Sequence, residues 1–183
     1  NTQEKAFQFG VNMDQSKGPV TVRSRMLPPY HVHTAGQSQG IFIGNGDQDN
    51  YLSVNLVAGG YEVVNENGGV PQITTYNLAR PSSSLDIFFL INPTDGTVQP
   101  KISINGAAQV ALGSPVTLNG AMLAAIQEPA APMAVGMMGT NGGQAEFPVN
   151  IDYFFVEGAA PYISESFESI TMIPGDPDYT MNL

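Results

Sequence analysis

Residues 44–54 read GNGDQDNYLSV, and within them Asn45, Asp47 and Asp49 set oxygen-bearing side chains at alternate positions. Alternating acids and amides in a glycine-rich loop resemble the opening of a calcium loop, because a hard cation takes oxygen ligands. The pattern then departs from an EF-hand: the position that needs the turn glycine holds Asn50, and the one that needs a bidentate glutamate holds Leu56. Two readings remain. One is a looser structural calcium site, built on Asp47 or Asp49 with backbone carbonyls, or on Asp152 with an oxygen of the N-terminal strand. The other is turn capping by the same side chains.

The groups that recognise sugars lie in the same neighbourhood. Sugar binding wants an aromatic surface for the apolar ring face and carboxylates, amides or arginines for the hydroxyls. Tyr30 and His33 precede the loop, Asp47, Gln48, Asn50 and Tyr51 belong to it, and Arg23 and Arg25 share one face of an upstream strand. From that face the arginines reach across a sheet toward Asp49 or Asp86. The plainer reading is that Tyr51 caps the sheet and the arginines pair with acids on a solvated face. The chain has no Trp, the residue that stacking platforms so often use.

Catalytic constellations are weaker. Glu146, Asp152 and Glu157 are the nearest approach to a paired-carboxylate glycosidase, but Pro148 intervenes and Glu157 falls on the strand face opposite Asp152. A serine nucleophile is not expected, since no partner for His31 or His33 is identifiable from spacing. His31 and His33 are spaced to share a zinc ion from one strand face, yet no third ligand accompanies them, so they read as loop histidines. Met133, Met137 and Met138 read as core filling.

These side chains have to be positioned by strands. Gly and Pro occupy 34 of 183 positions and fall between short apolar runs, the punctuation of an all-β chain. Strands are expected over 6–11, 20–27, 40–44, 51–57, 61–66, 72–78, 85–92, 101–105, 114–118, 133–139 and 149–158. In VTVRSRM, Val20, Val22, Ser24 and Met26 take one face and Thr21, Arg23 and Arg25 the other, so one side is buried and the other wet. In LDIFFLIN both faces are apolar, which predicts a central strand. Asn67-Gly68-Gly69, Asp95-Gly96, Asn105-Gly106, Asn119-Gly120 and Asn141-Gly142-Gly143 supply the positive φ that hairpins need. Only residues 120–128 have helical composition, enough for a single helical turn or a short strand. The architecture this predicts is an antiparallel two-sheet β-sandwich over residues 1–158. Residues 159–183, richer in acids and serines, form a tail or a linker to another module.

Composition narrows the function classes. The net charge is -10 with six scattered basic residues, which disfavours nucleic acid and anionic lipid. No apolar run approaches the length of a membrane span. Cysteine is absent, so there is no thiol chemistry and no disulfide.

The segment order VRSRMLPPY, SQGIFIGNGDQDNYLSV, LDIFFLINPTDGTVQPKISING, MAVGMMGTNGG and VNIDYFFVEG resembles the concanavalin A-like jelly roll of laminin G and glucanase type, carried as modules of secreted bacterial proteins. The resemblance covers residues 6–158. It implies a glycan-binding face or end loops; the closely spaced acids that glucanase relatives carry on one strand are missing here. The expectation is a non-catalytic, extracellular or cell-surface carbohydrate-binding module of a larger multidomain chain, with calcium as its candidate structural cofactor. Its partner would be a glycan or polysaccharide. The alternatives are a structural spacer or protein-interaction module of an adhesin or surface assembly and, less favoured, a glycoside hydrolase.

Overall fold

A computed structural model of the chain describes residues 5–13, 15–128 and 132–158. The tail expected over 159–183 lies outside the described residues. Twelve strands run through the described part: β1 (Lys5–Val11), β2 (Val20–Met26), β3 (Ser38–Gly44), β4 (Tyr51–Val57), β5 (Gly60–Asn67), β6 (Val70–Tyr76), β7 (Leu85–Asn92), β8 (Thr97–Ile104), β9 (Val110–Ala111), β10 (Val116–Thr117), β11 (Met133–Thr140) and β12 (Ile151–Gly158), with one helix, α1 (Gly120–Gln127). They form two antiparallel sheets of six, the first in the order β1-β11-β3-β4-β5-β6 and the second β10-β8-β7-β2-β12, with β9 pairing β8.

Alternation decides which side chains enter the core. Ile41, Ile43, Leu52, Val54, Leu56, Val63 and Val135 of the first sheet meet Val22, Ile87, Phe89, Ile91, Val98 and Ile102 of the second. β7 is central, as its doubly apolar pattern predicts, and even the outward Phe88 is only 7% exposed. β8 begins earlier than expected, running through Pro100. That proline is tolerated because the ladder to β10 ends at Val98 and the ladder to β9 begins at Lys101, so no partner there requires its missing N–H.

Residues 120–127 make a full α-helix instead of a single turn. Met122, Ala125 and Ile126, spaced as one helical face, are buried against the core. Gln127 Nε2 donates to the carbonyl of Pro93 at 2.8 Å, which seats α1 beside the β7–β8 turn. The sandwich therefore has an α1 end, with the β3–β4, β5–β6 and β7–β8 connections. Its far end carries the β2–β3, β4–β5, β6–β7 and β11–β12 connections.

Close approach at Gly136 ties β11 into the first sheet. A Cβ at that position would fall 2.0 Å from the carbonyl oxygen of Phe7 and 2.9 Å from Phe42 Cε1. Gly136→Ala should therefore lower the urea-unfolding free energy by about 2 kcal/mol, the cost of forcing β1 and Phe42 outward. An unchanged midpoint would show that the strands relax freely around the added methyl.

Candidate functional site

The outer face of the first sheet is built by two tight turns. Val57 pairs with Gly60 and Asn67 with Val70, which fixes the register of β4, β5 and β6. Asn55 then faces Glu62 and, beyond it, Thr75; Ser53 faces Val64 and Ile73; Tyr51 faces Glu66 and Pro71. Because Leu52, Val54, Leu56, Tyr61 and Val63 fill the core, their alternates must point outward. They line a groove of about 610 Å³, closed at the far end by the Thr34 to Ser38 segment.

Three glycines stand opposite long side chains of this sheet face. Gly44 lies opposite Tyr51, Gly40 opposite Asn55, and Gly136 opposite Phe42. A Cβ at Gly40 would fall 2.5 Å from Asn55 Oδ1, and one at Gly44 would fall 3.3 Å from Tyr51 Cβ. Asn55 and Phe42 thus lie against their glycine partners on β3 and β11. Phe42, Tyr51, Val64 and Met138 form a small apolar cluster on this face, separate from the main core.

Polar groups in the groove are unevenly satisfied. Asn55 is 4% exposed; its Nδ2 donates to Ser53 Oγ at 2.9 Å, while its Oδ1 has no protein partner. Burial pushes the pKa of the Tyr51 hydroxyl up, and its hydrogen bond to the Glu66 carboxylate raises it further. Glu62 and Glu66 stand on one face four residues apart, about 13 Å along the strand.

A loop clamp holds the far rim. His31 stacks on Phe147 with ring centroids 4.4 Å apart, and His33 meets the same ring edge-on at 5.2 Å. Gln37, 4% exposed, accepts from the Thr34 N–H and hydroxyl through Oε1, and its Nε2 donates to the carbonyl of Ala145 at 3.2 Å. The histidine pair thus fastens the β2–β3 loop to the β11–β12 loop, and a metal role has no support in this geometry.

The residues singled out in the sequence do not converge. Asp47, Gln48, Asp49 and Asn50 sit at the α1 end, whereas Tyr30, His33 and the start of β12 with Asp152 sit at the far end, about 20 Å away by strand length. Asp47 is occupied within its own loop, accepting from Asn45 Nδ2, the Asp49 N–H and Asn50 Nδ2 at 2.7 to 3.1 Å. Burial nudges its pKa up, but those hydrogen bonds prevail and the net shift is downward. Among the described residues no group of three acidic, histidine or cysteine side chains is arranged to hold a metal. Tyr30 OH lies 2.9 Å from the carbonyl of Met26 and 2.8 Å from that of Ser83, an internal tie.

Arg23 and Arg25 project from the second sheet, on the side away from the groove. Arg25 forms a bidentate pair with the buried Asp86 at 2.9 and 3.1 Å, and Tyr153 OH donates to the same carboxylate at 2.6 Å. Arg23 pairs with Glu157 at 3.3 Å. Of the expected ligand residues, Tyr51 alone lines the groove. Asn55, Glu62, Glu66 and Thr75 escaped sequence reasoning, although the two-residue turn in NLVAGGYEV was signal enough to pair Asn55 with Glu62.

Neither a family model nor a curated protein sequence matches the chain. Solved structures with a similar backbone include a functionally unknown protein from Saccharomyces cerevisiae, at TM-score 0.59 and 12% identity over 84% of this chain and 72% of that one. Another is xylan beta-1,4-xylosidase from Bacillus halodurans C-125, at TM-score 0.59 and 15% identity over 82% of this chain and 30% of that one. A third is the CBM2 module of the evolved Dit of Lactobacillus casei BL23 phage J-1, at TM-score 0.52 and 8% identity over 86% and 71%. The chain spans less than a third of the xylosidase's length. The arrangement they share is the antiparallel concanavalin A-like jelly-roll sandwich expected from the sequence.

His33 makes the clamp sensitive to acid. It is 4% exposed with neither ring nitrogen hydrogen-bonded, and burial, with Arg80 and His31 nearby, pulls its pKa down to about 4. An unfolded histidine titrates near 6.5, roughly, so the unfolded chain binds more protons as the medium acidifies. The stabilising contribution is complete above that value and is lost as pH falls toward 4. Between about pH 7 and about pH 4.5, His33→Phe should lose about 2 kcal/mol less unfolding free energy than the native chain. Parallel pH profiles in urea titrations would assign the acid sensitivity elsewhere.

Proposed function

We propose that this chain is a non-catalytic carbohydrate-binding module that takes a glycan in the groove over β4, β5 and β6. The observation that carries the reading is the Asn55–Glu62–Thr75 row across the groove: an unpartnered buried amide oxygen, a carboxylate and a hydroxyl in line on adjacent strands. A buried acceptor without a protein partner is satisfied by a ligand hydroxyl or by water. The carboxylate accepts hydroxyl hydrogens in charge-assisted bonds. Ile73, 58% exposed on β6, offers an apolar surface to a sugar's C–H face.

The fold supports a modular setting: the xylosidase carries a similar sandwich in under a third of its chain, and the phage neighbour is described as a module. We place the chain, on this reading, in a larger secreted or surface-exposed protein. A structural calcium ion at the Asp47 and Asp49 loop is a separable part of the proposal, tested by melting in calcium against EDTA; coincident curves would remove it.

Screening on a glycan array, followed by titration calorimetry on the best oligosaccharide, tests the main reading. Glu62→Gln and Asn55→Ala should each weaken binding about tenfold or more, the worth of one charge-assisted or buried hydrogen bond. Lys101→Ala, on the opposite sheet, should leave it unchanged. An array without hits would transfer the chain to the spacer or protein-interaction class. Bond cleavage abolished by removing one acid would make it a hydrolase.

A further inference from the structure

The groove over β4, β5 and β6 carries charge of one sign. Glu62 and Glu66 line it, and no Lys, Arg or His does among the described residues. Arg23 and Arg25 are committed to Glu157 and Asp86 on the second sheet, and neither groove glutamate has an ion-pair partner among the described residues. The two carboxylates differ in one respect: Glu66 already receives the Tyr51 hydroxyl, whereas Glu62 has no protein hydrogen bond to its side chain.

The neighbours of Glu62 are acceptors too. Asn55 stands opposite it on β4 and Thr75 opposite it on β6. The Asn55 amide spends its Nδ2 on Ser53 Oγ at 2.9 Å, so the capacity left to this buried side chain, 4% exposed, is its unpartnered Oδ1. The Thr75 hydroxyl accepts as readily as it donates. Cross-strand partners hold their Cβ atoms about 5 Å apart, close enough for the three groups to converge on one ligand atom. A group that fits them must be rich in N–H or O–H and free of lone pairs, which describes an ammonium: three donors, no acceptor and a positive charge.

Covering Glu62 with a ligand strips water from its carboxylate. A sugar hydroxyl returns one hydrogen bond and leaves the charge unbalanced, whereas an ammonium returns the bond and the countercharge. An acidic glycan would instead meet two carboxylates on a chain of net charge -10.

We propose that the glycan taken by the groove is an amino sugar with its 2-amino group free, the ammonium held between the Glu62 carboxylate, Asn55 Oδ1 and the Thr75 hydroxyl. This rests on the glycan reading of the groove and narrows it to one class. N-acetylation removes the charge and two of the three donors and sets a carbonyl oxygen against a row of acceptors, so the acetylated sugar is excluded.

The test is an NMR titration of the full chain at about pH 6, where an amine is protonated. The probes are the methyl 2-amino-2-deoxy glycosides of glucose, galactose and mannose configuration, each beside its N-acetyl and its 2-hydroxy counterpart. The tetramer of glucosamine, free and acetylated, is added to them. At least one free amine should shift the amide signals of Asn55, Glu62 and Thr75 and bind about tenfold or more tightly than both counterparts. That advantage should shrink with added salt and vanish in Glu62→Gln, while Glu157→Gln, on the other sheet, should keep it.

Free amines that bind no better than their counterparts, or an advantage that survives Glu62→Gln, overturn the proposal; neutral array glycans that still lose affinity in Asn55→Ala would then leave the carbohydrate reading standing. An α-N-acetyl lysine amide that binds as tightly as the amino sugar overturns both, because the groove would then take an ammonium from a protein. Silence from every probe together with an empty array also overturns both.

Discussion

The outer face of the first sheet depends on glycines that sit directly opposite long side chains. Had Gly40 a Cβ, it would lie 1.9 Å from the carbonyl oxygen of Val54 and 2.5 Å from Asn55 Oδ1, so neither the strand spacing nor the amide could keep its place. With no Cβ at positions 40, 44 and 136, the side chains of Asn55, Tyr51 and Phe42 can lie down over the neighbouring strand. A sheet face that would otherwise be an even array of upright side chains is lowered on one side. The groove is the relief left by that asymmetry.

Its ends are held by different physical means. At the α1 end, polar side chains substitute for regular structure: the Gly69 N–H donates to the carbonyl of Asp49 at 2.9 Å and the Gly68 N–H to Asn50 Oδ1 at 3.0 Å, joining the β3–β4 loop to the β5–β6 turn. At the far end, stacked rings and a buried glutamine join two long loops. Of the acids that first draw the eye in GNGDQDNYLSV, Asp47 holds the Asp49 N–H in place through its carboxylate, the ordinary work of short polar side chains in turns.

Strand existence was legible because alternation and glycine turns are local signals. YLSVNLV and LDIFFLIN occupy the spans their patterns predict, Tyr51–Val57 and Leu85–Asn92. The site was less legible for two reasons. Residues 51–56 are all buried, on both faces, since the outward Tyr51 and Asn55 stand opposite glycines and Ser53 stands opposite Phe42; a buried pattern hides a binding surface. Which loops share an end follows from counting strand passes, and the two-residue strands β9 and β10 together with α1 disturb that count between Ile104 and Met133. Asp47 and Asp152, alternative calcium ligands in the sequence, are separated by the full length of the sandwich. The Arg25–Asp86 pair was readable, because the two sit directly opposite each other one residue in from the ends of β2 and β7, where a register error of one would turn a charge into the core.

β6 is both a wall of the groove and the edge of its sheet. It is held by a single ladder to β5, and six of its seven residues are exposed, Val70 and Ile73 prominently. Pro71, at the edge, presents no N–H for another strand to capture. A molecule lying across the strands meets no further strand beyond β6 among the described residues. The groove is thus closed toward the loops and open sideways, a shape that receives an interior stretch of a long polymer as readily as its terminus.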